Sequence, residues 1–157
     1  MANRYNNSRV SNNCLVLQVV TADFDYTQAN TTAQVLQVGR LPAGAVVDSV
    51  SVINGGWVPN GAYTAGPTIA GTSWTNFKVN VGKTSNGTDW VNAVDIITGG
   101  TGTTSFSAVA ISGSDTIIYA GFTPTGGNWN AITTKPTTIT VAVLYNDFSN
   151  PYGEVIR

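Results

Sequence analysis

The chain of 157 residues carries seven Lys or Arg, eight Asp or Glu and no His, for a formal net charge of -1. With 42% hydrophobic and only 10% charged residues it is long and apolar enough for one core, so intrinsic disorder is excluded as its overall state. Clustered cations for phosphate binding are absent, and without histidine neither a Ser-His-Asp nor a Cys-His triad can be assembled.

Met1 to Asn13 is polar, Asn-rich and carries Arg4, Arg9 and a lone Tyr5. It reads as a flexible arm over 1–13, either a disordered terminus or a tether that orders on a neighbouring subunit. The start lacks the apolar core of a signal peptide, which implies synthesis in the cytoplasm. From Cys14 the chain alternates Leu15, Leu17 and Val19 against Val16, Gln18 and Val20, which predicts a strand to about Thr21. Cys14 is the single cysteine, so it forms no internal disulfide. It reads as a small buried hydrophobe rather than a reactive thiol.

Ala22 to Thr32 reads as a polar connection. Asp23 and Asp25 stand two apart in it, but no calcium-loop ligand run or glycine follows, so a solvated connection is preferred over a metal site. Ala33 to Leu41 is the next extended segment, with Leu36 and Val38 on one face. Pro42-Ala43-Gly44 then predicts a tight turn, since Pro fixes its own φ and Gly accepts a positive one. In the strand that follows, Val46, Val50 and Val52 fall on one face and Val47, Ser49 and Ser51 on the other. Asp48 interrupts the apolar face and predicts a bulge or an early solvent-facing start.

Asn54 to Asn76 is a Gly/Pro-punctuated insert holding Trp57, Tyr63 and Trp74. Connections of that length are uncommon in compact domains and are often functional. Its aromatics can anchor an interface, stack on a sugar ring, or fold back over one end of the core. Phe77, Val79 and Val81 predict a strand ending at Gly82. Lys83 to Gly87 forms a turn, and Thr88 is placed to cap a short helix over Asp89 to Ile96. Gly82-Lys83-Thr84 resembles the end of a phosphate loop, but Phe77 stands where that loop needs its first glycine, so it reads as a turn.

Thr98 to Ser105 reads as a loop. Phe106–Ile111 and Thr116–Phe122 read as a hairpin joined at Gly113-Ser114. A second aromatic loop, Thr123 to Thr137, contains Trp129. The last strand has Ile139, Val141, Val143 and Tyr145 opposite Thr138, Thr140, Ala142 and Leu144, apolar on both faces and so central in its sheet. Residues 147–157 form a C-terminal tail. The sum is an all-β, single-domain β-sandwich over residues 14–146, best matched by a jelly roll with one short helix and long Gly/Pro-rich loops. An immunoglobulin-like sandwich is disfavoured by the missing cysteine pair. No catalytic residue, metal ligand or cofactor site is expected.

The succession LPAGAVVDSVSVI, FKVNVGKTSNGTDWVNAVDI, TIIYAGFTP and TITVAVLYN, covering Leu41 to Tyr145, resembles a group of small tailed-bacteriophage structural proteins. The group is similar to capsid decoration, or cement, proteins: small β-rich modules that bind outside an expanded capsid shell. The resemblance implies a non-enzymatic virion protein on the outer capsid surface. Its partners would be the major capsid protein and copies of itself, as trimers ahead of dimers, with no nucleic acid and no membrane. The insert at Asn54 to Asn76 is longer than the group's and marks a contact particular to this chain. On that expectation Arg4, Tyr5, Arg9, Trp57, Tyr63, Trp74 and Trp129 are the candidate capsid or partner contacts. Two other readings remain open: a carbohydrate-binding module using the loop aromatics as stacking platforms, and a low-copy neck, tail or fibre component.

Overall fold

A computed structural model describes residues 13–20, 24–54, 74–96, 101–110, 114–132 and 138–147. They form eight strands and one 3-10 turn, with no α-helix among the described residues. In chain order the strands are β1 (Asn13–Val20), β2 (Gln34–Leu41), β3 (Ala45–Asn54), β4 (Asn76–Gly82), β5 (Val91–Asp95), β6 (Thr101–Ala110), β7 (Thr116–Thr125) and β8 (Thr138–Asp147). They build two antiparallel four-stranded sheets, one in the order β1-β8-β3-β6 and the other β2-β7-β4-β5. β8 is an inner strand, as its two apolar faces require.

The two layers bury one continuous core. Val47, Val50, Val52, Ile139, Val141 and Val143 come from the first sheet, and Leu41, Phe77, Val79, Val81, Ile118 and Phe122 from the second. Period-two alternation puts these apolar side chains on one face of each strand, where removing them from water stabilises the fold by about 1.5–3 kcal/mol for each large side chain.

The turn between β2 and β3 forms as expected. Ala45 N donates to Pro42 O at 3.1 Å, and Gly44 takes φ 83°, which a side chain would resist. The bulge at Asp48 also forms, with the register of β3 slipping between Val47 and Ser49 against both β6 and β8. Its consequence corrects the expected faces. Ala45 and Val47 are buried before the bulge and Val50 and Val52 after it, while Val46 is only half-buried. One inserted residue reverses the parity of every side chain beyond it.

Three further expectations change. The helix over Asp89 to Ile96 is instead strand β5. Trp90 N donates to Val81 O and Ile96 N to Phe77 O, each at 3.0 Å, so β4 supplies the partners that a two-turn helix would have had to find within itself. A break in the ladder between Val79 and Val81, with Ala93 at φ 53°, gives β5 its helix-like apolar spacing. The loop over Thr98 to Ser105 gives way to β6 from Thr101, because its Thr/Ser run pairs with Val50, Ser51, Val52 and Ile53. Finally, β6 and β7 are not a hairpin. β6 pairs with β3, while β7 lies between β2 and β4 in the other sheet. Gly and Ser at 113–114 favour a reversal of direction, but such a signal does not specify the sheet to which the chain returns.

Candidate functional site

Three connections meet at one end of the two layers, and aromatic side chains lock them together. The first is the segment Phe24 to Ala33 between β1 and β2. Asp25, in the middle of DFDYT, faces solvent, and its Oδ1 accepts from Thr27 N at 2.9 Å and from Thr27 Oγ1 at 2.6 Å. These two bonds, the hydroxyl's first, hold the Asp25 carboxyl below the usual carboxylate range. The Gln34 side chain grips the same residue's main chain, with Oε1 accepting from Asp25 N at 2.7 Å and Nε2 donating to Asp25 O at 2.8 Å. The turn thereby drives Phe24 inward, 6% exposed.

The second connection rejoins the core at Trp74, and the third contains the 3-10 turn Trp129–Ala131 after β7. Trp129 is fully buried. Its Nε1 donates to Thr32 O at 2.8 Å, while its main-chain N donates to Asn30 O at 3.0 Å. Trp74 Nε1 donates to Asn128 O at 2.7 Å. The two indoles meet edge to face at 5.5 Å and 89°. Phe24 packs 5.3 Å from Trp129 and 4.9 Å from Phe122, and Phe77 lies 5.0 Å from Trp74. Each indole N–H is satisfied by a loop carbonyl, so the aromatic cluster is both apolar core and hydrogen-bonded clasp.

Trp74 and Trp129, expected at a partner surface, are therefore corrected to core residues. At 5% and 0% exposure, neither presents a ring face to a capsid protein or a sugar. They fold back over the end of the core, the third of the roles open to them. Arg4, Tyr5, Arg9, Trp57 and Tyr63 lie outside the described residues.

The clasp presents loops rather than rings. Asn30, Thr31, Thr32, Asn128 and Asn130 are exposed around it, and among the described residues of the two loops Asp25 is the one charged group. The insert after β3 rejoins the described chain at Trp74 in this same cluster. Sequence reading missed Phe24 and Tyr26 as parts of the clasp, although their placement either side of Asp25 carried the signal of an apolar face inside a polar connection.

No family model, curated protein or solved structure matches this chain. The candidate surface must therefore be argued from its own chemistry. No group of three or more His, Cys, Asp or Glu placed to hold a metal occurs among the described residues. Asp25 is occupied by its turn, and Asp95 by Asn76 Nδ2 at 2.7 Å and Phe77 N at 3.0 Å. Asp89 accepts from Lys83 N at 2.8 Å. These carboxylates close turns and cap strand ends. What the described residues offer is a polar rim of Asn and Thr held on the aromatic clasp by the main-chain and indole hydrogen bonds.

Proposed function

We propose that this chain is a non-enzymatic virion structural protein that binds the outside of an icosahedral phage capsid and stabilises it by bridging capsomers. One observation carries the reading. The stretches by which the sequence resembles decoration proteins coincide with β3, β4, β5, β7 and β8, which supply most of the core, with β5 standing in place of the short helix expected over Asp89 to Ile96. The chain is read further as a jelly-roll sandwich. The support is the strand order: successive strands β1, β2 and β3 alternate between the sheets, and the orders β1-β8-β3-β6 and β2-β7-β4-β5 follow from wrapping one long antiparallel ribbon around a core.

The mechanism is physical. A shell fails where capsomers part, and a protein bound across the seam adds its binding free energy to the cost of separation. Copies that associate with one another multiply that effect through effective concentration. In this reading the N-terminal arm, with Arg4, Tyr5 and Arg9, and the insert carrying Trp57 and Tyr63 supply the contacts with neighbouring capsid subunits.

The deciding experiment is the copy number of this protein relative to the major capsid protein in purified particles, by quantitative mass spectrometry. A near-equimolar or simple fractional ratio supports shell decoration. A handful of copies per particle moves the protein to the neck, tail or fibre, and absence overturns the virion reading. A carbohydrate-binding module is the second reading. The Asn/Thr rim at Asn30, Thr31, Thr32, Asn128 and Asn130 suits hydroxyl recognition, although burial of Trp74 and Trp129 removes two of its stacking platforms. Saturable protection or quenching by a glycan across a broad panel would favour it.

A further inference from the structure

Among the described residues the two sheets end in four edge strands, and three of these carry devices that discourage pairing with another chain. β2 slips register between Gln37 and Gly39 and displays the exposed Arg40. β5 has five residues, a register break, Ala93 at φ 53° and a terminal Asp95. β6 breaks against β3 between Val47 and Ser49, so that Phe106, Ser107 and Ala108 face the single residue Asp48. Bulges, short length and charges are the usual means by which an edge is blunted.

The fourth edge has none of them. β1, NCLVLQVV, contains no charged residue and no proline. It pairs with β8 over eight unbroken positions, from Asn13↔Tyr145 to Val20↔Thr138. β8 is its one strand partner among the described residues, so every second main-chain N–H and C=O of β1 is directed away from the sheet. Eight consecutive residues without charge or proline, three of them valines, form a ready template for strand addition.

We propose that β1 is a docking edge for a second copy of this chain, pairing antiparallel with the partner's β1 about a twofold axis to join two four-stranded sheets into one of eight. Three features select this occupant. A strand without charge can lie against itself in antiparallel register with no like charges opposed, and a net charge of -1 leaves little repulsion between copies. The alternative head-to-tail pairing would need β2, β5 or β6, and the ladder of each is broken by a register shift. A twofold contact also consumes both open edges and closes, whereas head-to-tail addition propagates. The inference departs from the threefold association that the family resemblance implies, and it stands whether or not the protein decorates a capsid.

The test uses the full-length chain in the absence of any capsid. Sedimentation velocity over a concentration series is combined with amide hydrogen exchange of β1. The expected result is a reversible rise from 16.4 kDa to twice that mass. The alternate β1 amides, those not bonded to β8, should be protected at high concentration and exchange freely on dilution. Leu17→Pro and Gln18→Pro then separate the two ladders, because the N–H groups of neighbouring residues face opposite sides of the strand. One variant loses a bond to β8 and is destabilised. The other keeps its unfolding midpoint and remains a monomer at every concentration. A monomer with those amides unprotected overturns the proposal, as does a monomer with them protected at all concentrations, which would mean that the chain covers its own edge. Trimers, open-ended growth or a folded proline variant that still dimerises overturn it equally.

Discussion

The indole Nε1 of Trp129 donates to the main-chain oxygen of Thr32 at 2.8 Å, joining positions 97 residues apart. Trp90, equally deep in the core at 2% exposure, has its Nε1 buried without a hydrogen-bond partner among the described residues. Substituting phenylalanine at the two positions therefore has different costs. Trp129→Phe removes the bond to the Thr32 carbonyl and is expected to destabilise by about 0.5–1.5 kcal/mol beyond the loss of ring volume. Trp90→Phe removes an unsatisfied donor and loses volume alone. Urea unfolding midpoints rank the two variants, and the opposite order would contradict the clasp.

Asn86 lies against Gly121, the residue of β7 whose missing side chain admits the turn between β4 and β5. A Cβ built at Gly121 collides with Asn86 Oδ1, and Asn86 itself sits at φ 56°, where glycine is at ease. Gly121→Ala should therefore cost about 1–3 kcal/mol through overpacking. Asn86→Gly in the same chain should recover most of it, although it removes the acceptor of Asn80 Nδ2 at 3.1 Å. A double-mutant cycle by thermal unfolding reads this coupling, and simple additivity would refute it.

The Asp25 carboxyl gives the clasp a readout in pH. Its folded-state value is lowered, chiefly by the Thr27 hydroxyl and then by the Thr27 amide. The stabilisation it brings is therefore present above the ordinary Asp value, and is lost as pH falls through the lower folded value. Carboxyl carbon NMR should give Asp25 a midpoint below that of an ordinary Asp, and Thr27→Val should move it back upward while the amide bond remains. An unmoved midpoint would show that the hydroxyl is not the main cause.

Asp95 ties the start of β4 to the end of β5 through Phe77 N and Asn76 Nδ2. Asp95→Ala should destabilise by about 1–2 kcal/mol, because Phe77 N is then left without its side-chain acceptor. Hydrogen exchange should localise the loss to the β4–β5 pair, leaving β8 amides as protected as before. Uniform loss of protection across both sheets would mean that β5 is integral to the core rather than an edge fastened by its cap.

The strands that could be read from sequence were those whose period-two pattern runs unbroken along the chain. β1, β4 and β8 declare themselves by alternation, and the Pro42-Ala43-Gly44 turn by the φ demands of its residues, because these depend on neighbours within a few positions. Asp48 announced a bulge, yet which valines turned inward depended on how β6 and β8 absorbed the extra residue. The segment at β5 had helix-like spacing, and only the main-chain acceptors of β4 made it a strand. The same holds for the tryptophans. Composition and loop position made Trp74 and Trp129 candidates for an outside partner, whereas the carbonyls of Thr32 and Asn128 and the rings of Phe24 and Phe77 drew them inside. Local sequence determined which segments extend and where the chain turns, since those preferences are paid within a turn or a strand. The assignment of strands to sheets, the register breaks of three edge strands and the unbroken ladder of β1 on β8 were decided by contacts between residues far apart in the chain, which no local pattern encodes.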